Sequence, residues 1–353
     1  MQVDDTPHRI PELWFDDGSI IVQAGNSQFR VHRSILAACS PVFKDMLSFP
    51  QPADAELVEG CPVVHLPDAP EEVTVFLKAI FLPDYFMPFP AKTEFGMIRG
   101  CLRLGHKYGV EHLRLRAMIH FSSRFRTTLS QWDTSSCPYV YGESEFTGPW
   151  NLPQPQIISW LTLDTPTMCS CIQLAREVDA PWILPVAFYL LSHRLTQKST
   201  MTLMEVIRGN LGNDATSHLS TQDQESFLYG HIRQTQFLTT SILGCFSEPV
   251  KILDCKWPVR CLEGRLSAVN SVRETFSAFP SMPLDVWGED DWEEFAQRLC
   301  PSCLAFLRVK HQDTRREFWD DLPRMYGLPP WPELEKLRVA AIGTQWFPSE
   351  LSL

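Results

Sequence analysis

Two short β-rich runs joined by a glycine–asparagine pair restrict the fold of this chain more than any other feature. The first run spans residues 19–24 (SIIVQA) and the second spans 28–32 (QFRVH), with Gly25-Asn26 between them. Glycine and asparagine tolerate the positive φ angles of tight turns, and alternation in the second run places Phe29 and Val31 on one face. We therefore expect a β-hairpin with one face against a core.

Helix-start signals follow this hairpin directly. Ser34 is a candidate N-cap for a short helix, and Ser40-Pro41 combines a second N-cap with proline at the first helical position. Further on, apolar residues recur at offsets of three, four and seven from Val73, which is the pattern of one buried helical face. The remaining elements predicted for this region are a strand over 61–67 and helices over 70–80, 93–108 and 111–124.

Length and charge limit the number of domains and the class of partner. A chain of 353 residues exceeds one usual hydrophobic core, so two domains are expected. The formal net charge of −11 disfavours nucleic acid and anionic membranes, because both attract clustered lysine and arginine. The longest apolar run, 182–191, contains Pro185 and is too short to span a bilayer, and no signal peptide is recognised. We expect a soluble cytoplasmic or nuclear protein whose 11 cysteines are free thiols or metal ligands.

Several segments carry a family resemblance. Within residues 17–47 the chain reads DGSIIV and then FRVHRSILAACSPVFKDML, and later it reads VVHLPD and LGHKYGVEHL. These segments resemble, in matching order, the opening signature and a later strand and helix of the BTB/POZ domain family, of the type common in fungi. The resemblance covers about residues 14–125. It implies an α+β fold, a small mixed sheet packed by a helical cluster, and a role in protein–protein interaction.

The resemblance also implies which residues contact partners. It assigns the motif and groove of the domain to Asp17, His32, Arg33, Phe43 and Met46. His32 could instead be read as a catalytic base, but in the family this position packs and forms hydrogen bonds at the start of a helix. Asp17 and Arg33 form either a polar groove for a peptide or an ion pair without a partner role.

Two further segments of this region allow alternative interpretations. Residues 81–90 (FLPDYFMPFP) either form an adhesive aromatic loop or fold back onto the core. Cullin-binding relatives carry a hydrophobic-x-glutamate element after the second helix pair, and here only Leu57-Val58-Glu59 matches it, close to the next strand. The family thus implies homodimers, transcriptional assemblies or cullin-type ubiquitin ligase adaptors as alternatives.

The chain divides into three predicted regions. Residues 14–130 form the BTB/POZ domain, residues 131–156 form a linker with several prolines and no helical period, and residues 157–347 form a mainly α-helical carboxy-terminal domain. The last region is loosely similar to the downstream part of many fungal BTB-domain proteins, and there Trp319 and Trp331 are expected to anchor the final helices. Helical patterns support it over 168–178, 181–194, 225–238 and 292–337.

Four cysteines in two pairs form a candidate metal site. Five residues separate Cys255 from Cys261, and two residues separate Cys300 from Cys303. Four thiolates can hold a structural zinc ion in tetrahedral geometry, and Cys245 is a spare candidate. Alternatively, these cysteines are free thiols that pack as small apolar side chains. A catalytic zinc is disfavoured, because four protein ligands leave no position for a water molecule.

These observations predict a protein-interaction scaffold that acts through its BTB/POZ domain and has no catalytic activity of its own. The sequence shows no phosphate-binding loop, serine-hydrolase elbow or zinc-protease helix motif. Two alternatives are a zinc- or thiol-dependent hydrolase in the carboxy-terminal domain and a BTB-type transcriptional regulator. A DNA-binding regulator requires a local basic face formed by Arg308, Lys310, Arg315 and Arg316.

Overall fold

The chain separates into two compact units. The amino-terminal unit comprises residues 1–124, 153–162 and 339–353, and the carboxy-terminal unit comprises residues 125–152 and 163–338. None of the helices in the described ranges has the length and hydropathy that a bilayer crossing requires. The structure is a computed structural model that describes residues 7–49, 56–135, 160, 164–194, 206, 219–247, 252–275 and 282–344.

A five-stranded mixed sheet lies in the amino-terminal unit, in the order β1-β3-β2-β5-β4. Strands β2 and β3 are antiparallel with Val22 opposite Phe29, and Gly25 adopts a φ of +51° in their turn, so the predicted hairpin is confirmed. Strand β5 runs parallel to β2. The strands are β1 (His8–Trp14), β2 (Ile20–Ala24), β3 (Ser27–Val31), β4 (Leu57–Val58) and β5 (Cys61–Leu66).

Strand β1 was not expected from the sequence. It lies at the edge of the sheet and pairs parallel with β3, with His8 opposite Ser27. Pro11 lies inside this strand, which an edge position tolerates because one side of the strand needs no ladder hydrogen bond. Leu13 is its buried residue, so no run of alternating apolar residues indicated a strand here.

Five helices accompany this sheet: α3 contacts β1, α4 packs on α3, α5 packs on α4, and α1 contacts α2, which contacts α4. Ser40 caps α2 as predicted, because its hydroxyl oxygen accepts a 2.9 Å hydrogen bond from the backbone N–H of Phe43. The prediction for Ser34 was wrong, since it lies inside α1 and the N-cap is His32, whose side chain forms no capping bond. Gly109 ends α4 in the left-handed region, with a φ of +67°. The helices are α1 (Arg33–Cys39), α2 (Pro41–Ser48), α3 (Pro70–Phe81), α4 (Phe95–Tyr108) and α5 (Glu111–Ser122).

The aromatic segment over 81–90 folds back onto the core of this unit. Phe86 is buried, and its carbonyl accepts a hydrogen bond from the Arg116 guanidinium. The Met87 carbonyl lies 3.0 Å from Nε2 of the buried His120. Of the two interpretations of this segment, the one in which it packs inward is therefore confirmed.

The carboxy-terminal unit is mainly helical, as predicted. Helix α6 includes the first residues of the expected linker 131–156, and residues 136–156 lie outside the described residues. A 3-10 turn over Pro181–Ile183 precedes α8, and a π-helical turn over Leu238–Ile242 joins α9 to α10. The helices are α6 (Leu129–Ser135), α7 (Thr165–Glu177), α8 (Leu184–Arg194), α9 (Thr221–Phe237), α10 (Leu243–Ser247), α11 (Pro258–Thr275), α12 (Glu289–Arg298), α13 (Pro301–Met325) and α14 (Trp331–Ile342), of which residues 339–342 belong to the amino-terminal unit.

Aromatic contacts hold these helices at short distances. Helices α9 and α13 approach where Gly230 faces the ring of Tyr326, so closely that a Cβ atom on Gly230 would lie 2.0 Å from that ring. The Tyr326 hydroxyl donates a 2.6 Å hydrogen bond to the side chain of Gln234. Trp319 and Trp331 stack with ring centroids 5.1 Å apart, and Trp331 Nε1 donates to the Trp319 carbonyl at 2.7 Å, as expected for anchors of the last helices.

Candidate functional site

The four predicted cysteine ligands converge at one point of the carboxy-terminal unit. The sulfur atoms of Cys255, Cys261, Cys300 and Cys303 all lie within 4.8 Å of one another. Cys255 precedes α11 and Cys261 lies in its first turn, whereas Cys300 is the N-cap of α13 and Cys303 lies in the first turn of that helix. Two helix starts thus bring together two pairs that are far apart in the sequence.

The spacing of these sulfur atoms fits a tetrahedral metal site. Zinc–sulfur bonds of about 2.3 Å place four tetrahedral sulfur atoms about 3.8 Å apart, so the present spacing needs only a small contraction. The backbone N–H of Cys300 donates to the Cys261 sulfur at 3.3 Å. Such N–H···S hydrogen bonds favour a negatively charged sulfur. The donor set is all sulfur and contains four residues, which suits a closed structural site rather than a catalytic one.

The surroundings of the cluster shift the pKa values of its thiols in opposite directions. Burial raises the pKa of Cys300, but hydrogen bonds from the backbone N–H groups of Cys303 and Lys256 and from the neighbouring thiols outweigh it and lower that pKa to about 6. Burial raises the pKa of the Cys261 and Cys303 thiols. The positive ends of α11 and α13 add a field that favours thiolates. The protein therefore stabilises part of the negative charge, and a cation would supply the rest.

The surroundings of the cluster are apolar. Cys261, Cys300 and Cys303 are buried in a core that also contains aromatic side chains, whereas Cys255 is only partly buried at its edge. Cys245, the spare candidate, is outside the cluster, and its thiol donates to the Ser241 carbonyl at 2.8 Å. The aromatic side chains of this core are Phe246, Trp287, Trp292 and Phe295.

Two predicted partner-binding residues of the amino-terminal unit lie on its surface and face each other. His32 Nε2 lies 3.5 Å from the exposed Asp17 carboxylate, and the His32 ring packs 5.3 Å from that of Phe15. The Arg33 guanidinium donates to the Leu47 carbonyl at the end of α2. Among the described contacts, Asp17 thus pairs with His32, and Arg33 fastens α2 to the start of α1.

Helix α2 presents different residues to the core and to solvent. Phe43 is 1% exposed and stacks on Tyr108 with ring centroids 4.7 Å apart, so it supports the domain from inside. Met46 is partly exposed, and Val42, four residues earlier, is 41% exposed. Val42 and Met46 lie on the same side of α2, and Ile35 of α1 is exposed as well; we call these three residues the α1–α2 face. Sequence reasoning missed Ile35 and Val42, although the spacing of 42 and 46 against 43 and 47 indicates two faces.

The segment proposed to resemble a cullin-binding element forms β4 and its turn. Leu57 is 63% exposed. Glu59 accepts hydrogen bonds from Arg9 at 2.7 Å and from Arg30 at 3.3 Å. The apolar member of this element is therefore available to a partner, whereas its carboxylate is held by the sheet.

The basic face required for DNA binding is mostly neutralised within the chain. Arg308 pairs with Glu289 at 2.5 Å. Arg315 pairs with Asp133 at 2.5 Å, and Arg316 pairs with Asp313 at 3.1 Å. Lys310 is exposed. These pairs leave little uncompensated charge for a phosphate backbone.

Comparison with known families assigns the amino-terminal region. Residues 15–121 match the family model of the BTB/POZ domain, which agrees with the resemblance described for residues 14–125. A search of curated proteins and a search of solved structures each found no match. The matched segment contains strands β2–β5, helices α1–α4 and all of α5 except its last residue.

Proposed function

Because residues 15–121 form a BTB/POZ domain, which supports a role in protein interaction, we propose that this protein is a binding scaffold that acts through that domain. The observation that carries the proposal is the α1–α2 face, where Val42 and Met46 point outward while Phe43 packs inward. Apolar side chains that are adjacent on a surface commonly mark a site of association. Asp17 and His32 supply a polar pair on the same domain, and Arg33 holds the two helices together.

The partner that we propose for the α1–α2 face is a second copy of the chain. Sedimentation of the full chain then yields twice the mass of 40.4 kDa. The double substitution Val42→Glu and Met46→Glu places charge in the interface and converts the protein to a monomer, because a buried unpaired charge is costly. Leu57→Glu is the matched control, an equally polar change of an exposed apolar residue on β4, and it leaves the dimer intact. A wild-type monomer, or a double variant that still dimerises, contradicts the proposal.

A cullin-type ubiquitin ligase is a narrower candidate, and its proposed contact is Leu57. The exposed Leu57 side chain would supply the apolar anchor, while Glu59 remains bound to Arg9 and Arg30. Co-purification of a cullin with the full chain, lost in Leu57→Glu and retained in the Val42/Met46 double variant, supports this role. Absence of binding at micromolar concentration contradicts it. We place the protein in the cytoplasm or nucleus, and imaging of the tagged full chain tests that placement.

We also propose that Cys255, Cys261, Cys300 and Cys303 hold one structural zinc ion. When bound, the ion would link the first turn of α11 to the first turn of α13 and neutralise the thiolates. Metal analysis of the purified full chain then gives about one zinc per chain. Cys303→Ser lowers that content to near zero, whereas Cys245→Ser leaves it unchanged. A zinc content near zero in the wild-type chain, with all four thiols reduced, contradicts the site.

The hydrolase alternative in the carboxy-terminal unit is less well supported. Four sulfur ligands leave no coordination position for an activated water molecule. Ser192 Oγ lies 2.6 Å from Nδ1 of His231, which resembles a nucleophile–base contact, but Ser192 is fully buried. A nucleophile must reach its substrate. We therefore propose that the unit is non-catalytic, and hydrolysis of ester or amide substrates that is lost in Ser192→Ala would contradict this.

A further inference from the structure

Cys255 differs from the other three cysteines of the cluster in its access to solvent. Cys261, Cys300 and Cys303 are at most 2% exposed, whereas Cys255 is only partly buried. It lies in the loop before α11, after Asp254, whose φ is +61°. Its backbone N–H donates to the Ile252 carbonyl at 3.4 Å. Cys255 is thus the cysteine of the cluster that solvent reaches in part, and the other three are buried in the aromatic core.

We propose that Cys255 is the oxidation site of the protein: peroxide oxidises its sulfur, a neighbouring cysteine of the cluster closes a disulfide with it, and the metal is released. This inference rests on the zinc site proposed above. It assigns to the cluster a second property, sensitivity to hydrogen peroxide, that a purely structural site buried on all sides would lack.

The chemistry balances within the cluster and one peroxide molecule. The Cys255 thiolate attacks a peroxide oxygen, so that an S–O bond forms, the O–O bond breaks and hydroxide leaves, which gives a sulfenic acid. A second thiolate then attacks that sulfur, forms the S–S bond and expels hydroxide. Two thiolates lose two electrons in total, and one hydrogen peroxide with two protons becomes two water molecules. All three candidate partners lie within 4.8 Å of the Cys255 sulfur.

Access and charge together select Cys255 over the other partly exposed cysteines. The thiolate is the reactive form of cysteine, and a sulfur that coordinates a metal is deprotonated at neutral pH. Cys39 is also partly exposed, but burial raises the pKa of its thiol. Cys245 is partly exposed as well, and its S–H donates to the Ser241 carbonyl. Cys39 is therefore an internal control, because it is also partly exposed but burial favours its neutral thiol.

Disulfide formation removes two of the four ligands. Two remaining thiolates hold zinc far more weakly than four, so the metal leaves. The starts of α11 and α13 then lose their common cross-link. Reduction of the disulfide by a dithiol, with zinc present, restores the original state, because disulfide formation is reversible.

The test uses the zinc-loaded full chain and hydrogen peroxide. A chromogenic chelator follows metal release, and peptide mapping by mass spectrometry after alkylation identifies the oxidised cysteines. We expect release in proportion to peroxide, a disulfide that joins Cys255 to Cys261, Cys300 or Cys303, and a Cys39 that stays reduced. Cys255→His keeps four ligands and the metal, but it removes the exposed sulfur, so release slows by about tenfold or more. Cys39→Ser leaves the release rate unchanged.

The outcomes separate this inference from the proposed zinc site. If the purified chain contains no zinc, both the proposed zinc site and this inference are wrong. If zinc is bound, and peroxide oxidises Cys39 while the metal stays bound, only this inference is wrong and the zinc site stands. Equal release rates in the wild type and in Cys255→His also overturn it, because they show that a buried cysteine is the point of attack.

Discussion

Both units bury polar groups, but they satisfy them by different means. In the amino-terminal unit the buried Glu72 carboxylate lies 3.1 Å from Arg99 and 2.9 Å from Arg103, so its partners belong to the same fold. In the carboxy-terminal unit four thiols converge, and the hydrogen bond from Cys300 to Cys261 is a weak compensation for the charge of four thiolates. The first unit pairs its buried carboxylate with its own arginines, whereas the second unit brings together four thiols that could hold a cation.

This difference predicts that the two units respond differently to the same treatments. The stability of the amino-terminal unit depends on close packing of its side chains, so it should fall when a buried side chain is truncated. A core that contains a metal site also depends on metal concentration, because metal binding is coupled to folding.

Removal of zinc is expected to have the largest effect, and only in the carboxy-terminal unit. Treatment of the reduced full chain with a chelator should lower the free energy of unfolding of that unit by about 5 kcal/mol or more, because a structural zinc contributes directly to folding. Hydrogen exchange measured by mass spectrometry should show lost protection at the starts of α11 and α13. The sheet of the amino-terminal unit should keep its protection, and equal loss in both units would contradict the comparison.

Truncation of Phe43 is the corresponding test for the amino-terminal unit. Phe43→Ala should lower the free energy of unfolding by about 4 kcal/mol, since it removes a fully buried ring that stacks on Tyr108. Val42→Ala, one position earlier on the exposed side of α2, should cost less than about 1 kcal/mol. Chemical denaturation with and without chelator measures both. The Phe43 effect should be independent of the metal.

In the amino-terminal unit the sequence predicted the features that are determined by residues close together in the chain. The turn at Gly25-Asn26, the Ser40 cap and the apolar stripe from Val73 each act over a few positions, and all three are present. Strand β1 was missed because its parallel pairing with β3 is a tertiary contact, and because Pro11 argues against a strand in the sequence. The inward orientation of Phe43 likewise depends on Tyr108, which is far away in the sequence.

In the carboxy-terminal unit the sequence predicted that four cysteines form one candidate metal site, and the structure shows how the two pairs come together. The pair Cys300 and Cys303 has a spacing typical of metal sites, but 38 residues separate it from Cys261. Only the packing of α11 near the start of α13 brings the pairs together. The sequence does not show which of the 11 cysteines are exposed. The position of Cys245 outside the four-cysteine cluster and the partial exposure of Cys255 are results of helix packing.

A smaller effect is expected where α9 and α13 approach in the carboxy-terminal unit. Gly230→Ala should lower the free energy of unfolding by about 3 kcal/mol, because the new Cβ atom would lie 2.0 Å from the buried Tyr326 ring. Gly244→Ala is the matched control, since no atom lies within 4 Å of its added Cβ, and it should stabilise α10 by up to about 1 kcal/mol. Thermal unfolding of the metal-loaded chain compares the two, and an equal effect of both would show that α9 and α13 are less closely packed.

The smallest effect is expected from acidification. It tests the comparison because, among the described residues, His120 of the amino-terminal unit and His311 of the carboxy-terminal unit are both buried. Burial, reinforced by the Arg315 charge, lowers the pKa of His311 from 6.5 to about 3, and its Nε2 atom has no hydrogen-bond partner among the described residues. Burial also lowers the pKa of His120, but the Met87 carbonyl opposes that shift.

Since the unfolded chain binds a proton first, the stability that these neutral histidines provide is complete above pH 6.5 and declines as the pH falls toward the folded pKa. For His311 the loss is about 1.4 kcal/mol per pH unit, or about 2 kcal/mol at pH 5. His120 should contribute a smaller loss over a narrower range, because its hydrogen bond to Met87 favours the protonated ring. Hydrogen exchange at pH 7 and pH 5 should therefore show greater weakening around Trp287 and Trp292, which enclose His311, than around the 81–90 segment. His311→Leu should reduce the acid sensitivity around Trp287 and Trp292 and leave that of the amino-terminal unit unchanged. An unaltered pH dependence around these two tryptophans in this variant would assign the effect to another group.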